Sequence, residues 1–122
     1  MRNIISVLAL VVGSFTANYA QTHSKESILL TTNYGNMTIK LFEETPLHTA
    51  NFLKLVKEGT YDSLLFHRVI NQFMIQGGDP LSRHAKPGDS LGHGDLGYMV
   101  QAEFNEKLIH KKGRLCAARD GD

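Results

Sequence analysis

Phe66–Pro80 reads FHRVINQFMIQGGDP. Two runs in and around it have strand character, Leu64–Ile70 and Phe73–Gln76, joined by Asn71-Gln72. Gly77-Gly78-Asp79-Pro80 then breaks the second run. Arg68 stands where a strand would normally carry Val or Thr. Side chains alternate along a strand, so His67 and Arg68 face opposite ways. Phe73 and Met74 supply an apolar surface, and Arg68 and Gln76 supply donors beside it. Such a surface suits a small apolar group attached to a backbone carbonyl and nitrogen. The competing reading is an arginine at a barrel rim, paired with a carboxylate beside ordinary core residues. Composition alone favours that competitor.

Working outward, Ser27–Thr32 and Met37–Leu41 read as strands, the second alternating apolar and polar residues. Asn33-Tyr34-Gly35-Asn36 supplies the turn of a hairpin between them. A helix follows, with Thr45 as N-cap, Pro46 at its first position and Gly59 as a left-handed C-terminal stop. Leu47, Ala50, Leu53 and Val56 recur at spacing three and form its expected apolar face. One helix between hairpins suggests a lid over the end of a sheet or barrel. Leu81–Gly97, rich in Gly, Pro, Ser and Asp, reads as a long surface loop of the functional or mobile kind. Tyr98–Val100 and Arg114–Ala118 are expected as strands, and Glu103–Ile109 as a helical turn. The pattern is mainly β, and a sheet ending near Asp122 would expose an edge.

The first 20 residues have the order of a secretory signal peptide: Arg2, the nine apolar-rich residues Ile4–Val12, then small and polar residues to Ala20. The apolar run is too short to span a bilayer. The alternative, a buried N-terminal strand, fits poorly with Arg2 and with the polar switch over residues 21–26, expected to be a linker. A cut after Ala20 leaves 102 of the 122 residues and takes the formal charge from +1 to 0, since Arg2 is the only charged residue removed. A neutral chain without basic clusters argues against nucleic acid as a partner. The run His110-Lys111-Lys112-Gly113-Arg114 reads as a solvated turn. The single Cys116 has no internal disulfide partner and, in an oxidising compartment, is expected to be buried.

Several chemistries drop out. The chain has no GxSxG, no HExxH and no paired CxxC. His84 and His93 share a loop with Asp89 and Asp95, but not at metal-ligand spacing, and read as solvated loop residues. Gly92-His93-Gly94 lacks the strand and helix that would make it a phosphate loop. Cys116 with a distant histidine is too little for a thiol nucleophile.

The full string of the opening stretch resembles the signature of the cyclophilin-type peptidyl-prolyl isomerases. That pattern is F-H-R, two hydrophobic residues, two variable ones, then F-M-x-Q-G-G-D. Phe66, His67, Arg68, Phe73, Met74, Gln76, Gly77, Gly78 and Asp79 match it at every fixed position. Asn51-Phe52 with Gly59 and Tyr61 resembles the family's helix and its exit, and Glu103-Phe104, Gly113 and Leu115–Arg119 resemble its later segment. The resemblance runs from about Ile28 to Asp122. It implies an eight-stranded antiparallel barrel capped by helices. The resemblance covers the first two-thirds of that domain, residues 27–122, without its last strands and second helix.

The resemblance implies isomerisation of X–Pro bonds by a monomer that takes proline-containing polypeptides and needs no cofactor or metal; with the signal-like N-terminus, the clients are expected to be exported proteins, periplasmic or secreted. Arg68 and Gln76 would be catalytic, and Phe73 and Met74 would hold the proline ring. Ala118 and Arg119 would line the far side of the groove. Arg119 stands where most members carry Asn, loop 85–92 departs from a Gly-Thr-Gly stretch, and Gln101 stands where bacterial relatives often carry proline. The later pocket residues of the family, on a G-S-Q-F-F-like strand and beyond, have no counterpart. Two other readings compete: a module that binds proline segments without turnover, and an inactive truncated fragment.

Overall fold

The computed structural model describes residues 27–119. The expected signal peptide 1–20, the linker 21–26 and residues 120–122 lie outside the described residues. The described chain is mainly β with few helices: β1 (Ser27–Thr32), β2 (Gly35–Lys40), α1 (Pro46–Lys57), β3 (Arg68–Ile70), β4 (Met74–Gln76) and one 3₁₀ segment, Pro80–His84. β1 pairs antiparallel with β2, and β3 with β4, as two separate two-stranded sheets.

The first hairpin follows its alternation. Ile28 lies opposite Ile39 and Leu30 opposite Met37, which puts four apolar side chains on one face. Its turn is tighter than expected, because β2 starts at Gly35. The Thr32 hydroxyl closes the turn by donating to the Gly35 carbonyl at 2.8 Å and accepting from the Tyr34 amide at 3.1 Å.

Helix α1 begins and ends where Pro46 and Gly59 direct it. The Gly59 amide bonds the Val56 carbonyl at 3.1 Å, and the Thr60 amide bonds that of Leu55 at 2.9 Å. With Gly59 at φ 68°, this is a Schellman motif. The N-terminus differs from the sequence expectation. The Thr45 hydroxyl makes no cap bond to the helix and turns back to the Phe42 carbonyl at 3.4 Å. Its capping role passes to Glu103, which takes the amides of Leu47 and His48, each at 2.9 Å.

The buried face of α1 also differs. Leu55, 4% exposed, is the one fully buried apolar side chain among the described residues, while Leu47 and Ala50 are exposed. A spacing of three slips about 60° round the helix per step, so Leu47 and Val56 lie on opposite sides. Phe52 joins Leu55 on the inner side and meets Tyr61 with ring centroids 5.0 Å apart. The turn after the helix is held by Arg83, which donates to the carbonyls of Gly59, Thr60 and Asp62 at 2.9 to 3.1 Å.

Among the described residues one expected strand is shortened, and two strands and a helical turn are absent. Leu64–His67 precede β3 as coil, so the strand begins only at Arg68. Tyr98–Val100 and Arg114–Ala118 are coil without partner strands, and Glu103–Ile109 holds only a turn closed by the Leu108 amide on the Asn105 carbonyl at 3.0 Å. A short apolar run becomes a strand only when another edge accepts its hydrogen bonds. For the same reason Cys116, expected buried, is exposed. Leu81–Gly97 is loop-like as expected, except that Pro80–His84 winds into the 3₁₀ turn.

Ser82, 1% exposed, ties this turn to the approach to β3. Its hydroxyl donates to the Asp79 carbonyl at 2.6 Å and accepts from the Leu65 amide at 3.0 Å. Ser82→Ala therefore takes the acceptor from the Leu65 amide, and the expected cost is about 1–3 kcal/mol. Urea unfolding of the two chains measures it; equal midpoints would show that the amide finds water instead.

Candidate functional site

The hairpin β3–β4 positions the central pair. Arg68 lies directly opposite Gln76, and Ile70 opposite Met74, so all four side chains share one face. Arg68 Nη1 donates to Gln76 Oε1 at 3.3 Å, a long bond between two groups within reach of solvent. The connection is three residues, Asn71–Phe73, closed by the Phe73 amide on the Ile70 carbonyl at 3.1 Å. Gln72 takes the left-handed conformation there, with φ 58°. Phe73, expected in the strand, belongs to this turn and is 77% exposed.

Beside Gln76 lies a cavity of about 250 Å³. His67, Gln76, Ala118 and Arg119 line it, together with Gly77, Gly78, Gly92 and Gly94 and with Asp79. The structure thus gathers Gln76, Ala118 and Arg119 around one cavity, with Arg68 bonded to its edge and Met74 on the Arg68 face. Phe73 is not among the lining residues.

His67, Asp79, Gly92 and Gly94 enter the site without having been read as site residues. Asp79 is 4% exposed. Its carboxylate takes the amide of Gly92 on one oxygen and that of Leu81, at 2.8 Å, on the other. The Gly92 amide is the main cause of a carboxyl pKa below the ordinary value; burial opposes it, and the amides of Leu81 and Gly94 and the His67 imidazole add to the lowering. An ionised Asp79 therefore ties the loop after the 3₁₀ turn to the end of β4. His67 Nδ1 is buried and has no hydrogen-bond partner among the described residues. The legible signal was the pair of glycines two apart, Gly92 and Gly94, which marks close backbone approach.

At Gly94 that approach is measurable. A Cβ there would lie 2.2 Å from Asp79 Oδ1, 2.9 Å from Leu81 Cγ and 3.1 Å from Pro80 Cδ. Gly94→Ala must push the carboxylate off its amides, at an expected cost of about 1–3 kcal/mol from overpacking. Faster proteolytic cutting in loop 85–97, with a lower urea midpoint, is the expected readout. An unchanged cutting rate would mean that the carboxylate yields freely.

His84, His93, Asp89 and Asp95 are exposed loop residues as expected. Their bonds are local: Asp89 takes the Lys86 amide and Asp95 the Gly97 amide, both at 2.7 Å. Among the described residues no group of three His, Cys, Asp or Glu side chains is placed to hold a metal ion.

Ala118 and Arg119 come to the site on the coil 98–119. The Tyr98 hydroxyl donates to Asn51 Oδ1 at 2.6 Å, and the Arg114 guanidinium lies over the Phe42 ring at 4.7 Å. Glu103 adds the His48 imidazole, Nδ1 to Oε2 at 2.7 Å, to its two amides. Burial raises the Glu103 carboxyl pKa, but the His48 and Leu47 amides and the imidazole outweigh it and hold the group below its ordinary value.

Residues 27–122 match the family model for cyclophilin type peptidyl-prolyl cis-trans isomerase/CLD. A protein of Streptococcus pyogenes serotype M6, provisionally named a bifunctional phosphatase/peptidyl-prolyl cis-trans isomerase, is 40% identical over 103 residues, which cover 83% of this chain and 21% of the relative. A protein of Staphylococcus aureus, provisionally named a peptidyl-prolyl cis-trans isomerase, is 38% identical over 111 residues, 86% of this chain and 54% of the relative. The chain thus spans about half, or less, of the length of these curated relatives. No solved structure matches it. The hairpin that pairs Arg68 with Gln76 carries the signature string, and the match extends on both sides of it, from residue 27 to residue 122: the chain belongs to the cyclophilin-type peptidyl-prolyl cis-trans isomerase family.

Proposed function

We propose that this chain accelerates rotation about X–Pro bonds in proline-containing polypeptides. The observation that carries the reading is the Arg68–Gln76 pair, 3.3 Å apart on an accessible hairpin face at the rim of a cavity. An X–Pro bond turns over a barrier of about 18–20 kcal/mol because rotation breaks amide resonance. In the twisted state the prolyl nitrogen becomes pyramidal and regains a lone pair. A donor aimed at that lone pair binds the twisted state better than the planar one and so lowers the barrier.

Arg68 is that donor. Its guanidinium is always charged and carries five N–H groups in a planar fork. Gln76 accepts one of them and fixes the plane, which leaves others for the nitrogen. The amide of Gln76 also holds the substrate backbone. Met74, on the Arg68 face, and the exposed Phe73 ring grip the proline, so that one side of the bond stays fixed while the other turns. Ala118 and Arg119 guide the chain on the far side of the cavity. The step forms no covalent intermediate.

The wider setting is part of the same proposal. The client proteins are exported ones, in the periplasm or outside the cell, as the signal-like N-terminus supports, and the isomerase acts as a monomer. The two hairpins belong to an eight-stranded antiparallel barrel capped by helices. Its inner surface would cover apolar side chains now open to solvent, such as Leu29, Val69 and Ile75.

Exchange NMR on a short proline peptide tests the reading directly. The expected result is cis–trans exchange well above the uncatalysed rate, which has a time constant of roughly tens to hundreds of seconds. Peptide line shifts without faster exchange would instead support a module that binds proline segments.

A further inference from the structure

The coil 98–119 brings Ala118 and Arg119 to the cavity, yet it has no helix or strand to give it a shape. Its position must come from side-chain attachments. The best-formed of these is at Glu103. Oε1 accepts the Leu47 amide at 2.9 Å; Oε2 accepts the His48 amide at 2.9 Å and meets the His48 imidazole at 2.7 Å. The Glu103 side chain is only 13% exposed. The next residue continues the path. Phe104 is 85% exposed, and the Arg119 guanidinium lies over its ring, 5.3 Å from the centroid. A chain of contacts therefore runs from the first turn of α1 through Glu103 and Phe104 to Arg119, which lines the same cavity as Gln76.

We propose that Glu103 is a positioning residue for the site, clamping the coil to α1 so that Phe104 seats Arg119, and with it Ala118, in the cavity that Gln76 lines. The clamp has a physical basis beyond one bond. A carboxylate on two amides at a helix N-terminus gains from both hydrogen bonds and the helix dipole. Charge-assisted bonds at these lengths are also directional, so they fix where the next residue starts. The exposed Phe104 ring buries little in its own solvent-facing position, and its evident use is as the platform for the guanidinium. The consequence for turnover rests on the isomerase reading above; the placement of the coil does not.

The bland alternative is that Glu103 only caps α1. Thr45 allows the two to be separated, since it sits at the N-cap without a cap bond. Thr45→Asp supplies a local capping carboxylate. Cys116, the single cysteine and exposed, lies between Glu103 and Arg119 and accepts a fluorescent maleimide without any substitution. The comparison is Thr45→Asp against Thr45→Asp/Glu103→Ala, with Phe104→Ala as a surface variant whose folding is not at issue.

The expected result is a lower anisotropy of the Cys116 label when Glu103 is removed, although the substituted cap preserves the melt. KM for a proline peptide is expected to rise by about two- to thirtyfold, with kcat unchanged within about twofold, the mark of lost binding rather than lost transition-state stabilisation. Phe104→Ala should raise KM similarly. Unchanged anisotropy would overturn the proposal, as would full recovery of KM by Thr45→Asp. If the wild-type chain turns over no peptide, the isomerase reading fails, and the anisotropy alone decides whether Glu103 places the coil.

Discussion

Arg68→Ala is expected to lower peptide cis–trans exchange by about 10²–10³-fold, the usual effect of deleting one preorganised donor at a transition state. The fold should survive the change. Arg68 is exposed, its side chain makes the long hydrogen bond to Gln76, and its backbone pairing in β3–β4 is independent of the side chain. An urea melt superimposable on that of the wild type would therefore accompany the loss. Arg68→Lys should recover little, because an ammonium cannot keep one donor on Gln76 and present another in the same plane. The decisive comparison is exchange at equal peptide occupancy. If Arg68→Ala binds and turns over the peptide like the wild type, the assignment of Arg68 fails, whatever the family.

Leu55→Ala is expected to cost about 2–5 kcal/mol, the range for emptying a buried leucine site. It is the one apolar side chain among the described residues that is fully buried, so little else in the interior can offset its loss. A total stability of only about 5–15 kcal/mol makes that a large fraction. Leu47→Ala, by contrast, alters a side chain that is half exposed and should change stability by less than about 0.5 kcal/mol. The pair separates two readings of one helix. Equal effects at both positions would mean that the helix face runs along the spacing-three stripe after all.

The contrast shows where sequence reading reaches and where it stops. The hairpin β1–β2 was legible because alternation is local: each apolar residue meets its partner across a turn only two residues long. Both ends of α1 were legible in part. Pro46 and Gly59 act through their own backbone preferences and need no distant partner. The cap was not legible, because the acceptor at the N-terminus lies 55 or 56 residues further on. Tyr98–Val100 and Arg114–Ala118 have strand composition but pair with no strand among the described residues, so they stay coil.

The site divides in the same way. A single string, FHRVINQFMIQGGDP, already held Arg68, Met74 and Gln76, but it took the three-residue turn, with Phe73 outside the strand, to bring them to one face; a two-residue turn at Asn71-Gln72 would have put Met74 and Gln76 on the face away from Arg68. Its match to the family signature pointed to the reaction before any geometry did. The buried Asp79 and the approach of Gly94 to it could not be read from the string, since both depend on how a loop of Gly, Pro and Asp folds back on the hairpin. The place of Ala118 and Arg119 in the cavity lining is of the same kind. By itself, then, the sequence determined what repeats over a few residues: strand alternation, a helix start and stop, and the chemistry of one hairpin. Tertiary structure alone decided which side of α1 is buried, which carboxylate caps it and which residues close the cavity, because those contacts join segments tens of residues apart, and their energies exist only once the chain has brought them together.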